Sequence, residues 1–129
     1  MRKLEDICHL ECGAGWYGLL NELHESIERI APGYTVSQVK EKFSSLRYYI
    51  TLPKDVTPED AKEIYRLIDK AERKSETICE TCGNPGKYCD FGWMKTLCDN
   101  CLRKVLDRKG MTGPLEQYRG SIEDRIVRF

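Results

Sequence analysis

Four of the seven cysteines in the sequence are spaced as metal ligands. They form two pairs, Cys79-x₂-Cys82 and Cys98-x₂-Cys101, with fifteen residues between the pairs. Each short turn points two sulfurs to the same side, and four thiolates at this spacing can surround one tetrahedral Zn²⁺ ion. Cysteines that are simply buried as small apolar residues seldom occur as two matched pairs. The spacing therefore predicts one structural zinc ion, with no coordination position open to a substrate.

The residues around the two pairs predict a hairpin and a helix. Lys87 to Asp90 and Trp93 to Leu97 lie on either side of Phe91-Gly92, which is the pattern of a β-hairpin. Residues 102–109 follow with a helical pattern that ends at Gly110. A cysteine turn, a hairpin and a second ligand pair at the start of a helix resemble the treble-clef zinc finger. A plain zinc ribbon is the alternative, and it would lack the helix.

The resemblance to a treble clef raises the question of nuclease activity, because HNH nucleases share this shape. Such enzymes need a histidine on the hairpin that activates water beside a catalytic metal. The two histidines of the sequence are His9 and His24, both far before the first ligand pair. We therefore expect no HNH activity, and we predict that the protein is not an enzyme.

Cys8, His9, Cys12 and His24 form the one other group of chemically capable residues. On a helix, Cys8 and Cys12 would share a face and could hold a second metal. Cys12 and His24 could alternatively act as nucleophile and base. The sequence places no third group to orient the histidine, so the favoured interpretation is buried core cysteines. Cys89, on the predicted hairpin, is a free thiol or an alternative ligand, and a structural role is favoured there too.

Hydrophobic periodicity predicts that the first part of the chain is mostly helical. The predicted helices cover residues 3–12, residues 16–30, a short segment opened by a capping box at Thr35–Gln38, and residues 57–78, which begin at Thr57-Pro58. Leu46 to Leu52 alternates apolar and polar residues and predicts a strand. Its partner is the zinc hairpin, the segment near Tyr34 or a second copy of the chain.

The C-terminal tail carries a further apolar pattern after Gly113. Its members are Leu115, Tyr118, Ile122, Ile126 and Phe129. This spacing is typical of a last helix or of a segment that becomes ordered on a partner.

Two basic stretches are candidate contacts for nucleic acid or another partner. The first is Arg47-Tyr48-Tyr49, with Lys40 and Lys42 upstream, which could stack bases on an aromatic ring. The second lies on the helix after Cys101 and consists of Arg103, Lys104, Arg108 and Lys109. If the strand alternates, half of the side chains in the first stretch must face the core. The second stretch is a basic helix surface, and most such surfaces are exposed to solvent without binding a partner.

Composition and charge narrow the class of protein. Hydrophobic residues make up 40% and charged residues 33% of the 129-residue chain, which fits a soluble globular protein. Basic and acidic residues number 21 each, so affinity that comes mainly from phosphate contacts is not expected for the whole chain. The first residues carry acids where a secretion signal needs an apolar core, and no stretch approaches transmembrane length. With seven cysteines expected to be reduced, we predict a cytoplasmic protein.

Three stretches of the sequence together show a resemblance. They are Gly15-Trp16-Tyr17-Gly-Leu-Leu, residues 39–49 (Val-Lys-Glu-Lys-Phe-Ser-Ser-Leu-Arg-Tyr-Tyr), and the ligand region Cys79-Glu-Thr-Cys82-Gly through Gly92-Trp93-Met-Lys95-Thr-Leu-Cys98. They resemble a group of short cysteine-containing proteins of phages and prophages that generally have no assigned function. In that group two glycines often follow the phenylalanine, where this sequence has Ser44 and Ser45. The resemblance implies an accessory phage protein in a bacterial cytoplasm and carries over no catalytic residue.

These observations predict an α+β protein in three parts. They are a helical α+β domain at 1–78, a treble-clef-like zinc module at 79–110 and a tail at 111–129. We predict a non-catalytic phage-type accessory protein that binds and modulates a host macromolecule, such as a defence or transcription component. A host protein is the first expected partner, and a nucleic acid is the alternative. No membrane is expected, and a homodimer is left open.

Overall fold

Three helices and two small sheets form the structure, a computed structural model that describes residues 3–120. The helices are α1 (Tyr17–Ile30), α2 (Pro58–Lys74) and α3 (Asp99–Arg108). The strands are β1 (Leu10–Glu11), β2 (Thr35–Lys42), β3 (Ser45–Thr51), β4 (Lys87–Asp90) and β5 (Met94–Leu97). The predicted α+β class is therefore confirmed. Among the described residues, no helix is both long and apolar enough to cross a membrane.

The two long helices lie where the sequence predicts them. The α2 helix begins after Thr57, whose Oγ1 accepts a hydrogen bond from the backbone N–H of Asp60 at 3.1 Å. This cap satisfies one of the N–H groups that the first turn leaves without a helical partner. The apolar faces of α1 and α2 share one core with the first sheet, in which Leu20, Ile64 and Val39 are fully buried.

The predicted strand at 46–52 is confirmed as β3, and its partner is β2, in the segment near Tyr34. The two strands are antiparallel, with Val39 opposite Tyr48 and Lys40 opposite Arg47. On the other side of β2, the short strand β1 pairs in parallel. No second copy of the chain is needed to pair β3.

The helix predicted from Thr35 onward is wrong, because these residues form β2. The register of β2 against β3 shifts between Val36 and Gln38, which marks a β-bulge. One extra residue in a strand moves the next inward side chain by one position. Val36 and Val39 therefore stand three residues apart on the core side, and this spacing imitates a helical period.

The helix predicted over residues 3–12 is also wrong. A single 3₁₀ turn covers Leu4–Asp6, and Leu10–Glu11 then pairs with β2 as β1. The backbone N–H of Leu4 donates to Asn21 Oδ1 at 2.8 Å, which ties this segment to α1. A helix of this length is only marginally stable by itself. Hydrogen bonds to β2 and to α1 stabilise the observed conformation instead.

The β2–β3 connection is a tight turn with unusual backbone angles. Phe43 and Ser44 have φ values of 56° and 72°, and Lys42 and Ser45 pair on either side of them. Positive φ at both central residues is the pattern of the type I′ hairpin turn. Side chains at such angles cost free energy that glycine avoids.

Residues 79–110, called here the metal module, have a second and smaller core. Its buried apolar residues are Cys79, Cys89, Leu97, Cys101, Leu102 and Leu106. A 3₁₀ turn at Ser75–Thr77 connects α2 to this module, so the chain enters it from the end of α2, as predicted. The α3 helix ends at Arg108, and Gly110, which has a φ of 69°, follows its C-cap as the glycine stop that the sequence predicts.

The described part of the tail packs on the metal module. A 3₁₀ turn at Leu115–Tyr118 follows α3. Arg119 then donates to the backbone carbonyls of Lys87 and Leu97, at 2.8 Å and 2.9 Å respectively. The predicted apolar positions Ile122, Ile126 and Phe129 lie outside the described residues.

Candidate metal centre

The four predicted ligand cysteines come together in space. The sulfurs of Cys79, Cys82, Cys98 and Cys101 all lie within 4.8 Å of one another. Within residues 3–120, they are the one set of three or more histidine, cysteine or carboxylate side chains this close together. This arrangement is compatible with a metal site built from four cysteine sulfurs.

The first pair is held by a tight turn between the end of α2 and β4. The backbone N–H of Gly83 donates to the carbonyl of Cys79 at 2.9 Å, and the N–H of Cys79 donates to Asn84 at 2.7 Å. Gly83 has a φ of 86°, so the chain reversal predicted at this glycine is confirmed. The turn buries Cys79 fully and leaves Cys82 exposed.

The second pair lies where β5 ends and α3 begins. Cys98 is the residue before the helix, and its sulfur accepts a hydrogen bond from the backbone N–H of Cys101 at 3.4 Å. Cys101 itself lies in the first turn of α3. The N-terminus of a helix carries partial positive charge, which would favour the negative charge of cysteine ligands around a bound metal.

The thiols of Cys79 and Cys101 differ in how readily they lose a proton. Burial acts to raise the pKa of the Cys79 thiol, yet nearby backbone N–H groups lower it to about 7. The pKa of the Cys101 thiol is raised, first by burial and then by hydrogen bonding with the other thiols. Neighbouring thiols disfavour a second negative charge in this cluster, and a bound dication would offset that effect because it neutralises the thiolate charge.

Two glycines let the metal module contact the N-terminal core closely. The backbone N–H of Gly15 donates to the carbonyl of Glu80 at 2.8 Å. A Cβ atom at Gly15 would lie 2.2 Å from the carbonyl oxygen of Cys79, and one at Gly13 would lie 2.4 Å from that of Glu80. The Gly13–Gly15 segment, here called the glycine loop, therefore packs directly on the backbone of the first ligand turn.

Charged side chains make a second link between the two regions. Lys95 Nζ lies 2.8 Å from Glu41 Oε1 and 3.5 Å from Glu80 Oε1. Glu80 Oε2 accepts a hydrogen bond from the backbone N–H of Gly13 at 3.0 Å. Burial raises the pKa of Glu80 although Lys95 opposes that shift. One lysine thus serves two carboxylates at the boundary between the cores.

The structure does not assemble the second predicted constellation as a metal site. Cys8, His9, Cys12 and His24 are not among the clustered ligands of the described residues. Burial, with Glu80 and Glu41 nearby, raises the pKa of Cys12 to about 12, which leaves it protonated and weakly nucleophilic. His24 is buried, and its Nδ1 lies 2.7 Å from the hydroxyl of Tyr34. The favoured interpretation of Cys12 as a packed core residue agrees with this placement.

Cys89 lies on β4 behind the ligand cluster and outside it. It is fully buried, and its Sγ donates to the carbonyl of Lys95 at 3.4 Å. Burial raises its pKa to about 11. This is the environment of a structural thiol, as the sequence analysis favoured.

The two candidate basic stretches lie on different elements. Arg47 and Tyr49 lie on β3, and Tyr49 is exposed. Arg103, Lys104 and Arg108 lie on α3. Arg103 is already engaged, because its Nη2 donates to the carbonyl of Gly113 at 2.8 Å.

Sequence reasoning missed the residues that join the two regions. Glu41, Glu80 and Lys95 lie 15 to 54 positions apart along the chain, and no local pattern connects them. The signal that was available is Gly13-Ala14-Gly15 directly before a fully buried tryptophan, Trp16. Two glycines with no phosphate-binding context indicate a close backbone approach.

Comparisons with known proteins assign no family to the chain: a scan against protein-family models matches none, and searches of the curated proteins and of the solved structures give no significant match.

Proposed function

We propose that this chain is a zinc-stabilised, non-catalytic accessory protein of the phage type that binds and modulates a host macromolecule. The observation that carries the proposal is the cluster of four cysteine sulfurs within 4.8 Å of one another. The resemblance to short phage proteins supplies the biological setting.

Zinc is the ion that fits this donor set best. A tetrahedral Zn²⁺ with zinc–sulfur bonds of about 2.3 Å has sulfurs about 3.8 Å apart. The Sγ atoms of Cys82 and Cys98 lie 3.7 Å apart. Four soft thiolate ligands select zinc over magnesium or calcium, which prefer oxygen.

The order of elements supports a treble-clef-like module. A cysteine turn, the β4–β5 hairpin and a second cysteine pair at the start of α3 follow one another along the chain. The ten-residue α3 helix argues against the plain ribbon, which has no such element.

The remaining reactive side chains support a role without catalysis. Four cysteine ligands complete the coordination of zinc, so its expected role is structural. Cys12 has a pKa of about 12, and the Nδ1 atom of His24 contacts Tyr34. Among residues 3–120, histidine side chains take part in no cluster of three or more metal-binding groups.

Native mass spectrometry and a pull-down from bacterial lysate test this proposal together. We expect one zinc per chain, lost in Cys98→Ser and kept in Cys89→Ser, because Cys89 lies outside the ligand cluster. The zinc-loaded protein should capture a host macromolecule that Cys98→Ser does not capture. A folded Cys98→Ser protein that captures the same partner without zinc would contradict the proposal.

A nucleic acid is the second candidate partner. The predicted contacts Arg47, Tyr49, Arg103, Lys104 and Arg108 belong to this alternative. The position of Arg47 and Tyr49 on one open face of the first sheet favours it. Affinity that weakens steeply with salt would identify such a partner.

A further inference from the structure

One face of the first sheet is not used by the core. Val39, Leu46 and Tyr48 are buried on the side of α1 and α2. Side chains alternate along a strand, so their neighbours point to the opposite side. These neighbours are Gln38, Lys40 and Lys42 of β2 and Arg47 and Tyr49 of β3, called here the outer sheet face.

Strand register places the outer sheet face in cross-strand pairs. Lys40 lies opposite Arg47, and Gln38 lies opposite Tyr49. Directly opposite residues in an antiparallel pair have Cβ atoms about 5 Å apart. The cations and the aromatic ring therefore form one compact group rather than a scatter along the surface.

An open depression of about 570 Å³ lies against this group. Gln38, Lys40 and Tyr49 line one side of it, and residues 8, 9 and 11 line another. Tyr49 is 45% exposed, so part of its ring surface is accessible to a planar group. The volume is sufficient for a nucleobase with its sugar.

The charge of the outer sheet face is positive although that of the whole chain is zero. Lys40, Lys42 and Arg47 contribute three positive charges. Glu11 of β1 is the acid beside them, and its Oε2 accepts a hydrogen bond from Gln38 at 2.9 Å. Glu72 interacts electrostatically with Arg47 and offsets part of its charge. Lys40 and Lys42 therefore contribute most of the net positive charge of the outer sheet face.

The combination of groups favours a nucleic acid over a protein partner. Lysine is depleted in the central parts of protein–protein interfaces, which are apolar and rich in aromatic residues. Cations beside one exposed aromatic ring are instead the features that bind single strands, through phosphates and a stacked base. The Nζ of Lys40 lies 5.9 Å from the centre of the Tyr49 ring, where it could contact the phosphate of a stacked nucleotide.

We propose that the outer sheet face binds single-stranded nucleic acid, with a base stacked on Tyr49 and the flanking phosphates held by Lys40, Lys42 and Arg47. This inference rests on the proposed function as a binding protein and names the class of partner. A duplex is a poorer ligand for this site, because its bases are already stacked on each other.

Fluorescence anisotropy of labelled twelve-nucleotide oligo-dT and oligo-U with the zinc-loaded protein tests the inference. We expect binding at low salt, weakened about tenfold or more by Tyr49→Ala, which removes the stacking surface. The matched control is Tyr65→Ala, which removes a tyrosine that is 53% exposed on α2 and should leave binding unchanged. Equal weakening by both substitutions would overturn the role of Tyr49.

Salt dependence separates phosphate contacts from other effects. A plot of log K against log salt has a negative slope, and Lys40→Gln and Lys42→Gln should each make it shallower by about 0.7. This is the value for one phosphate contact on a single strand. Lys62→Gln on α2 is the control and should leave the slope unchanged. Zinc content and circular dichroism should match the parent in every variant.

The outcomes distinguish this inference from the proposed function. If neither oligonucleotide binds while a host protein is captured after nuclease treatment, the inference is wrong and the proposed function stands. If neither a nucleic acid nor a protein binds to the folded, zinc-loaded chain, both are wrong.

Discussion

The two cores of this chain are held together by different means. The N-terminal core contains fourteen buried hydrophobic residues from two helices and a sheet. The core of the metal module contains six, and three of them are cysteines. Segments below about 40 residues rarely bury enough apolar surface to fold without a metal or a disulfide. We therefore expect the metal module to depend on a bound metal for its stability, whereas the first core depends on apolar packing.

Removing the metal should have the largest effect. Zinc binding supplies about 10 kcal/mol or more of folding free energy in small zinc modules, so chelation or Cys79→Ser should unfold the metal module. Amide hydrogen exchange should then show lost protection in β4, β5 and α3, with α1 and α2 still protected. Cys89→Ser, which keeps the four ligands, is the control. Unchanged protection of α3 after complete removal of metal would refute the contrast between the two cores.

The glycine loop tests how strongly the cores are coupled. Gly15→Ala places a Cβ atom 2.2 Å from the carbonyl oxygen of Cys79, so either the loop or the ligand turn must move. We expect a loss of about 3 kcal/mol in the free energy of unfolding, the upper part of the range for overpacking, together with weaker zinc affinity. Denaturant titration and competition with a zinc chelator measure the two quantities.

Gly18→Ala is the matched control for Gly15→Ala. Gly18 lies in α1, where an added Cβ atom meets nothing within 4 Å. Alanine is the better helix former, so this variant should gain about 0.5–1 kcal/mol and keep its zinc affinity. If both variants lose zinc affinity equally, the glycine loop is not the point of coupling.

The elements that sequence reasoning identified have local signals. Two Cys-x-x-Cys turns, a capping threonine before Pro58, and a glycine at the end of α3 each act within a few residues. The four clustered cysteines could therefore be named from spacing alone. The α1 and α2 helices could be placed from their apolar stripes, because their cores are formed by one face of each helix.

The elements that sequence reasoning missed depend on distant partners. β1 is only two residues long and is defined by its parallel hydrogen bonding to β2. The sequence pattern does not predict β2, because the bulge between Val36 and Gln38 gives its inward residues a helical spacing. Sequence reasoning predicts only half of the outer sheet face, since Arg47 and Tyr49 lie on a predicted strand but the pattern that begins at Thr35 predicts a helix for Lys40 and Lys42.

The Lys95 link should contribute less than the glycine loop. Lys95→Met removes the cation between Glu41 and Glu80, whose side chains are 15% and 8% exposed. Two largely buried carboxylates then lie near each other with no cation between them, and we expect a loss of about 2 kcal/mol at pH 7. Thermal or chemical unfolding measures this loss. Lys87→Met, at an exposed position on β4, is the control and should change stability little.

The pH dependence of the Lys95→Met variant has a definite sign. Burial already raises the pKa of Glu80, so its charged form is disfavoured in the folded protein. Removing Lys95 raises that pKa further, and protonation at lower pH relieves the repulsion. The stability deficit of the variant relative to the parent should therefore shrink as the pH falls from 7 toward 5. A deficit that grows on acidification would show that Lys95 acts in another way.

The smallest predicted effect lies at the turn where the first sheet contacts the metal module. The carbonyl of Ser44 accepts a hydrogen bond from Thr96 Oγ1 at 2.7 Å, and the N–H of Ser44 donates to Glu41 at 2.8 Å. Both are backbone groups that glycine also provides. Because Ser44 has a φ of 72°, Ser44→Gly removes a conformational cost of about 1–2 kcal/mol, partly offset by the greater freedom of glycine in the unfolded chain.

We therefore expect Ser44→Gly to raise the free energy of unfolding by about 0.5 kcal/mol, a rise of about 1–2 °C in melting temperature. The neighbouring Ser45→Gly should do the opposite. Ser45 is buried in β3 and its Oγ donates to the carbonyl of Glu72 at 3.3 Å, so glycine there loses a contact and weakens the strand. Comparing the two variants isolates the free-energy cost of the turn's backbone conformation, because only Ser44 of the two serines has a positive φ. Destabilisation by Ser44→Gly equal to that of Ser45→Gly would mean that the serine side chain, not the turn geometry, holds the sheet against the module.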